Sequence, residues 1–193
     1  MKPFKLYAFV AIAACAAGCI STSREPIRVL SVGNSFSADA HTYLPEMARS
    51  MGLDLVLHNA GLSGGSIQSH VSHFKAYESS TNAPRRRGEP YTYNGAKTAL
   101  ATVLRSQKWD IVTIQQFSWI SRDINSYEPG GSELIDYIRA NAPQAEIVLY
   151  ETWAYRADEQ RLVHAKMTPD QMYAAVASAN REFAARHDLR LLP

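Results

Sequence analysis

The chain contains very little cysteine, and this limits how it can be stabilised. Of its 193 residues only Cys15 and Cys19 are cysteines, and both lie within the first nineteen positions. A domain formed by the remainder has no thiol pair to oxidise, so it must depend on a hydrophobic core rather than on disulfides. The hydrophobic content of 46% is sufficient for such a core, and the length suits one domain.

A strong charge of one sign is also lacking. The chain carries 20 Lys and Arg against 18 Asp and Glu, a formal net charge of +2. This balance does not indicate a nucleic-acid partner. The local cluster Arg85-Arg86-Arg87 is predicted to be a solvated loop, with contact to an acidic glycan or a lipid headgroup as the alternative. A phosphate-binding G-x-x-x-x-G-K-[ST] pattern and internal repeats are likewise missing.

The longest apolar run, residues 6–18, is too short to span a bilayer comfortably. It follows Lys2 and Lys5 and ends in small residues before Cys19, so residues 1–19 resemble a bacterial lipoprotein signal with Cys19 as the lipidated residue. Plain secretion and an uncleaved anchor remain alternatives. We therefore expect an exported protein of the bacterial cell envelope, held at the membrane by its N-terminal lipid, with residues 20–26 as a tether.

Strand-like and helix-like segments alternate from residue 27 to residue 193. The predicted strands are 27–33, 53–59, 109–116, 145–153 and 189–193, and the predicted helices are 38–52, 67–77, 96–107, 130–143 and 168–188. Residues 78–95 are polar and are predicted to be a loop with a small hairpin at 91–95. This alternation predicts one α/β domain, a three-layer α/β/α sandwich around a parallel sheet of about five strands.

Polar side chains, glycines and tryptophans follow the predicted strands at the ends where such sheets bind ligands. These segments are Gly33-Asn34-Ser35, the loop "AGLSGGS" at 60–66, Gln115-Gln116-Phe117-Ser118-Trp119, and Glu151-Thr152-Trp153. The sequence therefore predicts a small-molecule site at this edge of the sheet.

Three of these segments, in this order, resemble the sequence blocks of the SGNH (GDSL-type) hydrolases. They are "VLSVGNSFS" (29–37), with Asn34 in place of the usual Asp, "NAGLSGGS" (59–66), in which Gly64 matches the oxyanion glycine, and "WDIVTIQQFSW" (109–119). The resemblance is greatest to a bacterial branch described as a domain of unknown function, with a G-N-S-F-S start. It covers residues 27–193 and implies the flavodoxin-like SGNH fold.

This resemblance implies a serine nucleophile, Ser35, whose own N–H and that of Gly64 hold the oxyanion. Helix starts favour anions, and a glycine permits close approach of its backbone, so both assignments are physically reasonable. The family's third donor is an Asn side chain within G-x-N-D, which is absent here. We assign that role to the amide of Gln116, with Gln115 as the alternative. Asn34 is counted among the oxyanion and substrate residues, where it would hydrogen-bond to neighbouring loops and hold the serine turn, or would merely tolerate a tight conformation. No cofactor or metal is implied.

The general base of the family, a D-x-x-H motif after the last strand, has no counterpart in the printed sequence. We expect the sequence to be a C-terminally truncated piece of a longer protein, with a degenerate family member as the alternative. His41, His58, and the pair His70 and His73 are weak substitutes, and two histidines without a third ligand are weak evidence for a metal.

The predicted function is therefore a serine ester hydrolase that removes acetyl or similar acyl groups from a carbohydrate or a related small ester. Trp153 at the sheet edge would stack on a sugar ring, although an aromatic residue there can equally belong to the core. The alternatives are a non-catalytic glycan-binding lipoprotein and an inactive remnant. Ser35 as a helix cap alone, and the glycine loop as a turn alone, are the structural alternatives for the motifs.

Overall fold

The structure is a computed structural model, and it describes residues 25–83 and 86–193. The predicted signal with Cys19, most of the predicted tether, and Arg85 lie outside the described residues. Within the described part of the chain, no helix is both long and apolar enough to cross a membrane.

The order of elements follows the predicted alternation. The strands are β1 (Ile27–Gly33), β2 (Leu55–Gly61), β3 (Tyr91–Tyr93), β4 (Ala96–Thr98), β5 (Ile111–Ile114), β6 (Glu146–Tyr150) and β7 (Arg190–Leu192). The helices are α1 (Ser35–Ser50), α2 (Ile67–Ser79), α3 (Leu100–Arg105), α4 (Gly130–Asn141), α5 (Gln160–Ala165) and α6 (Pro169–His187), with a 3₁₀ turn at Ile124–Ser126.

Five strands form one sheet in the order β2-β1-β5-β6-β7, and every neighbouring pair is parallel. The predicted α/β architecture is therefore confirmed. Parallel pairing brings the carboxyl ends of β1, β2, β5 and β6 to one edge, and the four polar segments singled out in the sequence meet there.

The two faces of the sheet are covered by different helices. Residues of α2, α3, α4 and α6 pack with alternate strand residues into the main core, which includes Leu30, Val112, Ile114, Leu149 and Phe183, all of them fully buried. The opposite face carries α1, whose His41 contacts Ser31 of β1. Alternation along each strand explains this division, because successive side chains point to opposite faces.

Local signals set several element boundaries. Thr168 caps α6 by accepting the N–H of Gln171, whose side chain accepts the Thr168 N–H in return, and Pro169 occupies the first turn. The predicted helix at 96–107 is wrong at its start, because 96–98 pair with 91–93 as a hairpin and only 100–105 are helical. The short helix α5 was not predicted, since its six residues are too few for a periodic pattern.

Candidate active site

Ser35 begins α1 directly after the buried strand β1. Asn34 is the N-cap residue, and its Oδ1 accepts the N–H of Phe36 at 3.1 Å. This cap stops the strand and starts the helix within two residues, so the Ser35 side chain is left exposed at the sheet edge. Ser35 is itself the first helical residue, which excludes the reading of it as the N-cap.

The backbone N–H of Ser35 has no hydrogen-bond acceptor among the described residues, while the cap of Asn34 serves the next amide. The first N–H groups of a helix point away from the helix and carry its positive end. The exposed hydroxyl and the unpaired N–H of Ser35 thus lie at one end of a helix of 16 residues, where an anion is favoured.

Gly64 lies in the loop between β2 and α2 with a φ of +62°. An added Cβ would meet nothing within 4 Å, so the left-handed backbone, rather than a lack of space, requires glycine here. Its N–H also has no acceptor in the described part of the chain. The Asn34 amide donates to the Gly65 carbonyl at 2.8 Å, which holds this loop beside the Ser35 turn.

The two glutamines after β5 are used differently from the prediction. The Gln116 amide donates to the Ser126 carbonyl at 2.7 Å and to the Gln68 side chain at 3.3 Å, and its carbonyl oxygen accepts the N–H of Ile67. Its side chain is 1% exposed. The geometry therefore corrects the assignment of Gln116 as the third oxyanion donor, because both of its N–H groups already bind protein acceptors.

Gln115, the alternative donor, is engaged in the same way. Its amide donates to the Asn34 Oδ1 at 2.7 Å, so it supports the cap instead of facing a ligand. Asn34 is 3% exposed, with both ends of its side chain bound to protein. The side chains of Gln115 and Asn34 therefore bind protein groups around the Ser35 turn, and neither Asn34 nor Gln115 presents an exposed donor to a ligand in this geometry.

Trp153 contributes an exposed aromatic surface next to this turn. Its ring lies 4.0 Å from that of Phe36, centroid to centroid, and its side chain remains 47% exposed. Tyr155 follows two residues later, with its hydroxyl 2.6 Å from the Ser118 hydroxyl and its ring stacked on Trp119. The loops after β5 and β6 thus contribute two aromatic pairs, of which Phe36–Trp153 adjoins Ser35 in the chain.

No histidine among the described residues hydrogen-bonds to Ser35. His41 lies on the opposite side of α1, where its Nε2 is 2.9 Å from the Ser31 hydroxyl, and burial, followed by repulsion from His58, lowers its pKa. His187 pairs with Glu128 at 2.7 Å. The described residues thus provide an exposed serine and unpaired N–H groups, without a histidine hydrogen-bonded to the serine.

His70, one of the two histidines three residues apart on α2, is held by protein groups. Both ring nitrogens of His70 bind protein groups, namely Tyr91 and Gly33. Within residues 25–83 and 86–193, no group of three or more His, Cys, Asp or Glu is arranged to hold a metal ion.

Comparison with known proteins places the chain in a family. The family model described as "Domain of unknown function (DUF4886)" matches residues 28–186. The chain belongs to the DUF4886 family. A DUF4886 crystal structure from Bacteroides uniformis is 28% identical, with a TM-score of 0.72 over 88% of this chain and 67% of that one. No curated protein is significantly similar in sequence.

Other solved structures relate this DUF4886 chain to the SGNH hydrolases. A candidate SGNH hydrolase from Slackia heliotrinireducens is 25% identical, with a TM-score of 0.59 over 86% of this chain and 78% of that one. An acetyl xylan esterase, AlAXEase, is 15% identical, with a TM-score of 0.50 over 86% and 76%, a likeness of fold alone. The predicted relationship to the SGNH superfamily, through its domain-of-unknown-function branch, is confirmed.

Two features of the site escaped the sequence analysis. The first is the contact of Phe36 with Trp153. Phe36 follows Ser35 in the motif, and an apolar residue at the start of a helix can indicate packing against a neighbouring loop. The predicted hairpin at 91–95 includes Tyr91, but the contact of Tyr91 with His70 spans 21 residues, so no local pattern indicates that contact.

Proposed function

We propose that this DUF4886 chain forms the nucleophile and substrate-binding part of an SGNH-type serine ester hydrolase. The observation that carries the proposal is the pair of unpaired N–H groups, of Ser35 and Gly64, on two loops tied together by Asn34. Ser35 would attack the ester carbonyl, and the two N–H groups would bind the oxygen that becomes negative in the tetrahedral intermediate.

The proposed substrate is an acyl ester, most simply an acetyl ester, of a carbohydrate or a related small alcohol. Trp153 offers an exposed ring beside Phe36, and aromatic faces of this kind stack on sugar rings. An acetyl xylan esterase is among the proteins of the same fold, which supports the compatibility of this fold with such a reaction.

The proposal needs a general base that the described residues do not place at Ser35. The resemblance to SGNH hydrolases implies a D-x-x-H segment as its source, and we propose that the full-length protein supplies it after β7. Without such a base, a serine hydrolase retains only the rate that binding and the oxyanion donors provide, roughly 10³- to 10⁴-fold over water. Export to the cell envelope and lipidation at Cys19 remain part of the proposal.

Turnover of p-nitrophenyl acetate by the full-length protein tests the proposal. Ser35→Ala should lower kcat/KM by at least about a thousandfold, because it removes the attacking oxygen. Ser72→Ala is the matched control, since Ser72 is an exposed helical serine that bonds only to the Gln68 carbonyl in its own helix. Turnover that survives in Ser35→Ala would exclude Ser35 as the nucleophile.

A second candidate is a glycan-binding protein that retains the pocket, and the exposed ring of Trp153 is the observation that favours it. Calorimetric titration with acetylated and deacetylated xylo-oligosaccharides separates the two. Binding without hydrolysis, lost in Trp153→Ala and kept in Tyr43→Ala, would favour the binder. Tyr43 is a suitable control because it is 67% exposed on α1.

A further inference from the structure

His70 is a fully buried histidine with a hydrogen bond on each ring nitrogen. Its Nε2 lies 3.1 Å from the Gly33 carbonyl oxygen, and its Nδ1 lies 2.7 Å from the Tyr91 hydroxyl. A carbonyl can only accept, so Nε2 carries the proton and Nδ1 accepts the Tyr91 O–H. The order of donation, Tyr91 to His70 to Gly33, therefore follows from the geometry.

This arrangement keeps the imidazole neutral. Burial lowers the pKa of His70 to about 4, against the opposing effect of its bond to Gly33. The two rings also lie parallel, with centroids 5.8 Å apart. At neutral pH both hydrogen bonds therefore keep the same direction, and the side chain has one orientation.

The Gly33 carbonyl lies two residues before Ser35, at the point where β1 ends. It also accepts the N–H of Leu62 at 2.9 Å, from the loop that contains Gly64. One carbonyl thus joins the strand carrying the serine, the loop carrying the second N–H, and helix α2 through His70. A shift of this carbonyl would change the distance between the two N–H groups at the site.

We propose that His70, oriented by Tyr91, is a positioning residue for the nucleophile turn. By holding the Gly33 carbonyl it sets the location of the Ser35 hydroxyl and N–H relative to Gly64. The proposal rests on the proposed function, because it concerns the same serine. It also gives the hairpin β3–β4 a role, since the buried Tyr91 of that hairpin hydrogen-bonds to His70, which in turn holds the Gly33 carbonyl.

Variants at position 70 of the full-length protein test this role through turnover of p-nitrophenyl acetate. His70→Leu removes both hydrogen bonds and should lower kcat by about tenfold to a hundredfold, with KM within about twofold, because misplacement affects the reaction more than ground-state binding. His70→Gln keeps an N–H near the Nε2 position and should recover most of the loss. Tyr91→Phe should have an intermediate effect.

His73→Gln is the matched control, because His73 lies one turn along the same helix without a hydrogen bond among the described residues. It should leave kcat unchanged. A folded His70→Leu with normal kcat would overturn the positioning role while the proposed function stands. Turnover that persists in Ser35→Ala would instead remove the proposed function itself.

Amide hydrogen exchange gives a readout that needs no turnover and also detects a variant that fails to fold. The Leu62 N–H binds the Gly33 carbonyl that His70 also binds. Its exchange should accelerate by about tenfold in His70→Leu and return towards the original rate in His70→Gln. Exchange in α6 should stay unchanged. Equal Leu62 exchange in all three proteins would overturn the proposal. If α6 also lost protection, His70→Leu would be globally destabilised. The kcat values of His70→Gln and Tyr91→Phe would then test the positioning role instead. We expect kcat to fall in Tyr91→Phe alone.

Discussion

The two faces of the central sheet differ in how completely they are packed. On the face of α2, α3, α4 and α6, strand residues such as Val112 and Ile114 are fully buried in one continuous core. On the face of α1, Ile111 and Thr113 are only half-buried, and they line a groove of about 310 Å³ between α1 and the sheet. Neighbouring residues of one strand therefore meet very different surroundings.

The contrast extends to the polar groups on each face. The packed face buries His70 with both nitrogens bonded, next to the candidate nucleophile turn. The α1 face carries a row of partly buried hydrogen-bonded side chains. Thr113 donates to the Ser31 hydroxyl, and that hydroxyl bonds to His41. We conclude that the face of α2, α3, α4 and α6 holds the more completely packed core and supports the Ser35 turn through His70, whereas α1 carries Ser35 itself over a face that is less completely packed among the described residues.

The largest expected difference is between two isoleucines of β5. Ile114→Ala on the packed face should lower the free energy of unfolding by about 2–5 kcal/mol, because it leaves a cavity in a closed core. Ile111→Ala on the α1 face should cost about 1 kcal/mol, since water already reaches that side chain. Urea unfolding of both variants measures the difference, and equal losses would remove the distinction between the faces.

A second difference should appear in the dependence of stability on pH. The pKa of His70 is lowered from 6.5 to about 4 by burial, so between these values the unfolded chain binds a proton that the folded state does not. The free energy of unfolding should therefore fall as the pH decreases through this range, by roughly 3 kcal/mol in total, and stay constant above it.

His70→Gln should remove most of this slope. Burial also lowers the pKa values of His41 and His58, so a smaller slope in the same direction should remain. Urea unfolding at about pH 7 and pH 4.5 provides the measurement. The same slope in the wild type and the variant would contradict the assignment to His70.

The polar chain on the α1 face should matter less. Thr113→Val removes the hydroxyl that donates to Ser31 while keeping the shape of the side chain, and we expect a loss of about 1 kcal/mol. The groove leaves water access to the remaining groups, which limits the penalty. Thermal unfolding checks this, and a loss above about 3 kcal/mol would show that the face is as tightly organised as the other.

The smallest effect is expected at Met47 of α1, an exposed residue of the groove between α1 and the sheet. Met47 is 59% exposed, so Met47→Gln should change the free energy of unfolding by less than about 0.5 kcal/mol. A marked loss of unfolding free energy in the thermal assay would indicate that Met47 is buried against a partner in solution. The α1 face would then contribute more to stability than its exposure suggests.

Much of the fold was predictable because it depends on local patterns. Alternating apolar residues indicated the five strands of the sheet, and Thr168 with Pro169 indicated the start of α6. Regular alternation of strands and helices leaves a parallel sheet as the simple solution, and parallel strands bring their carboxyl ends together. The hairpin at 91–98 was only partly predicted, since its second strand reads equally well as a helix start.

The sequence by itself determined the parallel sheet and the location of Ser35 at the carboxyl edge of its strands, since these follow from residue order and periodicity. Only the tertiary structure decided which polar groups face that edge. Gln116 had the residue type of an oxyanion donor, yet its amide is bound by Ser126 and Gln68, and His70 proved to hold Gly33. These hydrogen bonds depend on how segments distant in the sequence pack together. His70 and Gly33 are 37 positions apart, and Gln116 and Gln68 are 48 apart, so no local sequence pattern indicates either contact.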